Sequence, residues 1–194
     1  TVNYKGFNWY VETAFKSKDV FYNPRALKAE LGEDPTFGKL EFKTGSVLYS
    51  SLSYSKDKIG VTLEAKRTKN FNFRVDPNLR LLRGLISYIP PMNRQNTYRL
   101  TARYSPATQD ISEQAYQLDI RYKINSKISA LVNTSFINTL ENEKLFREYL
   151  AEATYKASTK TQILGGLQIL NYNQEIYEQK ANVPTVETVT PYIE

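Results

Sequence analysis

The sequence predicts an all-β protein, an antiparallel up-and-down meander that forms a transmembrane β-barrel or part of a larger one. Three observations predict it. Apolar and polar residues alternate with period two in segment after segment. Fifteen tyrosines and nine phenylalanines weight the composition towards β structure. The connections fall into a short set and a long set, as they do at the two ends of a transmembrane barrel.

The first predicted strand, 7–16, sets Phe7, Trp9, Val11, Thr13 and Phe15 against Asn8, Tyr10, Glu12 and Lys16. A long loop is expected over 17–45, with room for a short helical turn in "NPRALKAELGED", capped by Asn23 with Pro24 at its first position. Strand 46–54 is weaker, with Leu48, Leu52 and Tyr54 on one side, and 59–67 sets Ile59, Val61, Leu63 and Ala65 against Thr62, Glu64 and Lys66. Strand 82–89 is required by topology, because without it the short turns cannot all fall at one end. Strand 97–104 alternates Tyr98, Leu100, Ala102 and Tyr104 with Arg99, Thr101 and Arg103. In 114–123, Tyr116, Leu118, Ile120 and Tyr122 alternate with Gln117, Asp119, Arg121 and Lys123, and 127–137 continues the pattern. Strand 147–156 sets Tyr149, Ala151, Ala153 and Tyr155 against Glu148, Glu152 and Lys156, and 161–172 is interrupted by Gly165-Gly166. The tail is expected to be irregular, or a strand broken at Pro184. The short turns are "SKDK" (55–58), "INS" (124–126) and "ASTK" (157–160).

With 194 residues, 41% of them hydrophobic, the chain is long enough for one domain, 1–194, and too apolar to be disordered. No apolar run approaches the 18 or so residues of a transmembrane helix. That leaves a barrel open, since a barrel strand uses only every second residue for lipid. A soluble sheet with one face in a core explains the alternation as well. Three features favour the membrane. Tyr98 and Tyr104, Tyr116 and Tyr122, and Tyr149 and Tyr155 sit at equal spacing on the apolar rows, roughly 20 Å apart along a strand, which suits two interfacial girdles. Small residues (Ala102, Ala130, Ala151, Ala153) lie between them, where a soluble core would favour larger ones. The opposite rows carry Arg99, Arg103, Asp119, Arg121, Lys123, Glu148 and Glu152, which in a barrel face the lumen and pair across strands.

The chemistry is sparse. The chain has no histidine, which removes the usual imidazole metal ligand and the usual general base, and no cysteine, so disulfides say nothing of its redox compartment. Glu148 and Glu152 are too far apart along a strand for a glycosidase pair, and a lumen salt bridge is the expected role. "GEDP" (32–35) and "ENE" (141–143) do not have the spacing of a calcium loop. No catalytic, cofactor-binding or metal-ligating set is expected, and the protein is expected not to be an enzyme. The net charge of +6 reads as a lysine-rich solvated surface. In "EAKRTKNFNFR" (64–74), Lys66, Arg67, Lys69 and Arg74 suit anionic lipid headgroups better than nucleic acid.

Three stretches, "LEAKRTKNFNFR", "ISYIPPMNRQNTYRLTARYSPATQ" and "GGLQILNYNQEIYE", resemble an uncharacterised family of porin-like outer-membrane proteins of the Bacteroidota. The shared elements fall on Lys66-Arg67 with Asn70, on Tyr88 with Pro90, on Thr97-Tyr98 and on Ala107-Thr108-Gln109. The resemblance covers most of residues 6–180 and brings no ligand or site residue. It implies a bacterial outer-membrane location, with outer-membrane lipid including lipopolysaccharide, and other envelope proteins, as partners. Family members are longer, an odd count of strands is unusual for a barrel, and the chain is expected to be a fragment of a longer one. The function expected is a passive channel or a structural component of an envelope complex. The alternative is a soluble or surface-displayed β-rich module that binds glycans or protein, with Tyr98, Tyr116 and Tyr149 as its platform.

Overall fold

The computed structural model describes residues 1–29, 34, 36–79, 84–87, 89–106, 111–178 and 180–194. Its main feature is one antiparallel sheet of nine strands in the order β1-β2-β3-β4-β7-β8-β9-β10-β11. The strands are β1 Val2–Tyr4, β2 Phe7–Lys28, β3 Thr36–Lys56, β4 Ile59–Lys69, β7 Glu113–Lys123, β8 Ile128–Thr139, β9 Lys144–Lys156, β10 Gln162–Tyr172 and β11 Val186–Ile193. A separate pair, β5 Phe73–Arg74 and β6 Leu85–Ser87, lies within the connection between β4 and β7. The sheet is an all-β meander, and it is open. The two edge strands β1 and β11 are not hydrogen-bonded to each other, so among the described residues it does not close into a barrel.

The turns explain the meander. Lys5 and Gly6 both have positive φ, 43° and 88°, as a two-residue hairpin turn between β1 and β2 requires. Asn125 Oδ1 accepts the backbone N–H groups of Lys127 and Ile128 at 2.8 and 2.9 Å, which closes the β7–β8 turn. Ser158 Oγ does the same for Lys160 and Thr161 between β9 and β10. With the Asp57-Lys58 turn, these connections lie at one end of the sheet. The opposite end carries the β2–β3 tip, the 70–112 connection, the 140–143 turn and the segment 173–185, where Asn173 caps a one-turn helix α1, Gln174–Tyr177.

Four expectations are corrected. The strand predicted over 97–104 is a set of turns, in which the Ala102 N–H bonds the Tyr98 carbonyl at 2.9 Å. Its alternation was real, but no neighbouring strand offers it a hydrogen-bonded edge, and Pro90-Pro91 and Pro106 bracket it. The predicted strand 82–89 reduces to the three residues of β6, outside the main sheet, and residues 82, 83 and 88 lie outside the described residues. The 17–45 loop is instead an extended hairpin: β2 has 22 residues and β3 has 21, paired through two register shifts, one between Lys16 and Asp19 and one between Asn23 and Leu27 that takes in Pro24. The tail forms β11, where Pro191 is tolerated because the strand is an edge. Two strands leave the meander and two short ones join at its edges. Losing an adjacent pair leaves every remaining turn at its predicted end, so β4 pairs directly with β7, Ile59 opposite Tyr122 and Thr68 opposite Glu113.

The two faces differ sharply. On one, Trp9, Leu48, Leu52, Leu63, Tyr116, Tyr122, Val132, Tyr149, Tyr155, Leu167, Ile169 and Val189 are all exposed. The buried residues lie on the other, where the 89–106 segment and α1 pack. The apolar cluster there (Met92, Ala115, Ile137, Leu145, Phe146, Leu170, Tyr172, Tyr177) occupies the long-loop end. The rest of that face is mainly polar, with Leu131 and the buried Leu150 set among the polar groups.

Candidate functional site

The polar face is built by register. Lys66 pairs with Ala115, Thr62 with Asp119, Asp119 with Asn133, Ser135 with Glu148, and Gly166 with Glu152, so these side chains share one side of the sheet. Segment 89–106 lies across them and is tied down by its own polar groups. Arg94 Nη1 meets Glu152 Oε2 at 2.7 Å. Asn96 Nδ2 donates to Glu148 Oε1 at 2.7 Å, and Gln168 Nε2 donates to the same oxygen at 2.5 Å and to the Thr101 carbonyl at 3.0 Å. Lys66 Nζ donates to the Pro90 carbonyl at 2.8 Å and pairs with Glu113 at 2.7 Å. Glu148 and Ser135 are fully buried, and Asn133, Gln168, Thr101 and Lys66 nearly so.

Such a layer stands only because it is satisfied. A buried polar group without a partner costs about 1–3 kcal/mol, and here strand carboxylates and amides find theirs mainly on the loop. Asn133 Nδ2 reaches Asp119 Oδ2 at 3.2 Å, and Arg121 Nε binds Asp119 Oδ1 at 2.8 Å. Among the described residues, Glu148 Oε2 and Thr68 Oγ1 are exceptions, each buried without a hydrogen-bond partner. Tyr192 on β11 donates to Glu152 Oε1 at 2.6 Å, and its ring lies beside that of Tyr98, centroids 4.7 Å apart. Tyr104 packs against Tyr172 at 5.4 Å, and Tyr172 stacks on Tyr177, whose hydroxyl pKa burial pushes well up.

The structure sorts the predicted site residues into three groups. Asp119, Arg121, Lys123, Glu148 and Glu152 lie on the polar face. Tyr116, Tyr122, Tyr149 and Tyr155 lie on the exposed apolar face, each between 44% and 46% exposed. Arg99, Arg103, Tyr98 and Tyr104 lie on neither, because their strand does not exist. Arg99 and Arg103 are exposed on the loop, and the two tyrosines pack on the polar side of the sheet rather than in a girdle. Ala102 leaves the apolar face with them. Tyr98 therefore shares no surface with Tyr116 and Tyr149, and the platform of three tyrosines does not form.

Sequence reading missed the loop's partners, Arg94, Asn96, Gln168 and Tyr192. For Arg94 and Asn96 the only signal was the density of polar residues in "PPMNRQNTYR"; Gln168 and Tyr192 lie in strands and carried none. Phe7, Tyr54 and Phe136 fall on the predicted apolar rows and lie on the apolar face, although only tyrosine pairs were singled out as girdle candidates. Phe7 packs on Tyr54 with centroids 4.4 Å apart, and Phe136 meets Tyr149 edge-on at 5.5 Å. In 64–74, Lys66 is buried in its ion pair and turned away from the apolar face, while Phe71 and Phe73 pack on each other at 5.5 Å. Asn70 of the resemblance motif takes a positive φ of 47° and joins β4 to Ser112 and Thr44. Tyr88 and Ala107-Thr108-Gln109 lie outside the described residues, as does most of "GEDP". Among the described residues no group of three or more carboxylates gathers as a metal site would require.

Residues 1–193 match the model of a family of unknown function, DUF6029. No curated protein and no solved structure matches the chain.

Proposed function

The chain belongs to the DUF6029 family, and we propose that it is a non-enzymatic wall of a porin-like barrel in the bacterial outer membrane, with its lumen side occupied by its own 89–106 loop. One observation carries the proposal. A continuous apolar sheet face is left uncovered while the buried polar groups all lie on the other side. A soluble sheet is built the opposite way, apolar inward and polar to water, and soluble proteins rarely expose apolar patches beyond a few hundred Å². Strand length supports the same reading. β4, β7 and β10 have 11 residues, β8 has 12 and β9 has 13, close to the 9–11 or so that cross a bilayer at a barrel's tilt. The aromatic residues at both ends of the apolar rows suit the two interfaces. The β2–β3 hairpin then projects beyond the membrane at the long-loop end, by about 30 Å.

The tied-down loop favours a plugged or structural barrel over a wide pore. An eight-stranded barrel is filled by its own side chains, so a lumen holding this loop belongs to a larger barrel to which these nine strands contribute one wall. Lipid, including lipopolysaccharide, is the partner of the apolar face, and other envelope proteins are partners for the open edges.

Conductance in planar bilayers tests the channel version. The full protein is expected to conduct poorly, and Arg94→Ala combined with Asn96→Ala to raise conductance by releasing the loop. Silence in both removes the channel and leaves the structural role. Release of the native protein from envelopes by salt alone would remove the membrane reading and favour the soluble binding module.

A further inference from the structure

We propose that the short-turn end of the polar face is a binding site for a small multivalent oxyanion of the phosphate class. Lys58, Arg121, Lys123, Lys127 and Lys156 line an open cleft of about 490 Å³ there. The Lys123 N–H bonds the Lys58 carbonyl and the Lys156 N–H bonds the Lys127 carbonyl, each at 2.8 Å. Continuing the β4–β7 and β8–β9 registers by one residue places Lys58 opposite Lys123 and Lys127 opposite Lys156. Like charges directly opposite each other destabilise an antiparallel pair, and here two such pairs stand together.

The local carboxylates do not neutralise them. Glu152 is taken by Arg94 and Tyr192, Asp119 holds Arg121, and Asp57, which lines the cleft itself, sets one carboxylate against four lysines. Among the described residues none of the four lysines has an ion-pair partner, and Lys58 Nζ reaches only the Ile124 carbonyl, at 3.4 Å. Arg121 and Lys123 share the side of Asp119, and Lys156 that of Glu152, so the cleft opens away from the apolar face. Its occupant is therefore a solute rather than a headgroup of lipid held on the other side. Lysines bind phosphate oxygens as point charges, and a diphosphate carries enough charge to bridge both pairs. The site does not depend on the membrane reading.

Isothermal titration of the purified full chain with inorganic pyrophosphate at low ionic strength tests it. Saturable binding is expected. It should weaken tenfold or more in Lys123→Gln combined with Lys156→Gln, persist in Lys123→Arg, and be unchanged in Lys144→Gln at the other end of the sheet. Removing like charges relieves the sheet, so the double variant is expected to keep its circular dichroism spectrum. Should it lose that spectrum, Lys123→Gln alone carries the comparison and is expected to weaken binding at least threefold. Absence of saturable binding, or equal binding in all variants, overturns the site. So does binding to phosphatidylglycerol vesicles without binding to pyrophosphate, which would assign the lysines to headgroups. Pyrophosphate binding by a protein that fails to float with liposomes keeps the site and rejects the barrel.

Discussion

Gly166 has no side chain because Tyr192 occupies the space one would need. A Cβ there would lie 2.3 Å from the tyrosine ring, whereas at Gly165, on the apolar face, it would meet nothing within 4 Å. Gly166→Val is expected to destabilise the protein by about 1–3 kcal/mol through overpacking, measured by denaturant unfolding, and Tyr192→Ala should recover part of that loss. In the sequence the two glycines read only as an interruption of a strand. Their difference appears once β11 is paired, and β11 was hidden by Pro184 just before it and Pro191 within it. Lys16 shows the same limit. It reads as one charge in a polar row, yet it is buried between Phe21 and Phe73, each ring centroid 4.6 Å from Nζ, and bridges Asp19 at 2.5 Å. That hydrogen bond, aided by the Val20 N–H, holds the Asp19 carboxyl below its usual range against the opposing effect of burial. The folded pKa is the lowered one, so the pair's contribution is present above the ordinary carboxyl pKa and lost as pH falls through the lowered value. In Lys16→Ala, an NMR titration should find Asp19 back in the ordinary range.

At the scale of elements, strands with a neighbour on each side were legible, whereas the edge strands β1 and β11 and the unpaired segment 97–104 were not. Segments 59–67, 114–123, 127–137, 147–156 and 161–172 all appear close to their predicted limits, because each has an antiparallel neighbour on both sides and a turn that sets its register. Segment 97–104 carries the same pattern without a neighbour, and it turns Tyr98 and Tyr104 onto the sheet's polar side while Arg99 and Arg103 stay exposed. The loop it belongs to is held by a few charge-assisted bonds, so it should open locally before the sheet does. Arg94→Ala leaves Glu152, 8% exposed at its side chain, without its cation. It is expected to cost about 1–3 kcal/mol, read as faster hydrogen exchange in 89–106 with little change in β7–β10. Equal loss of protection in loop and sheet would mean that the loop is part of one cooperative unit.

For the whole molecule, the sequence carried the all-β meander and the separation of the two faces, because period-two alternation records both. It did not carry the closure of the sheet, which depends on edges rather than on faces, nor the loop laid over the polar side, which depends on long-range pairs such as Arg94 with Glu152, 58 residues apart. The central claim is that lipid covers the apolar face. Ile120, flanked by Val61 and Val132 on that face, should tolerate arginine poorly, at about 2–4 kcal/mol near the mid-membrane, seen as loss of folding into liposomes. A dry protein core would reject arginine there as well, so the more direct measurement is accessibility. A spin label or fluorophore at position 118 or 120 in native membranes should be quenched by lipid-dissolved agents and spared by aqueous ones. Protection from both, or quenching from water, would contradict the account.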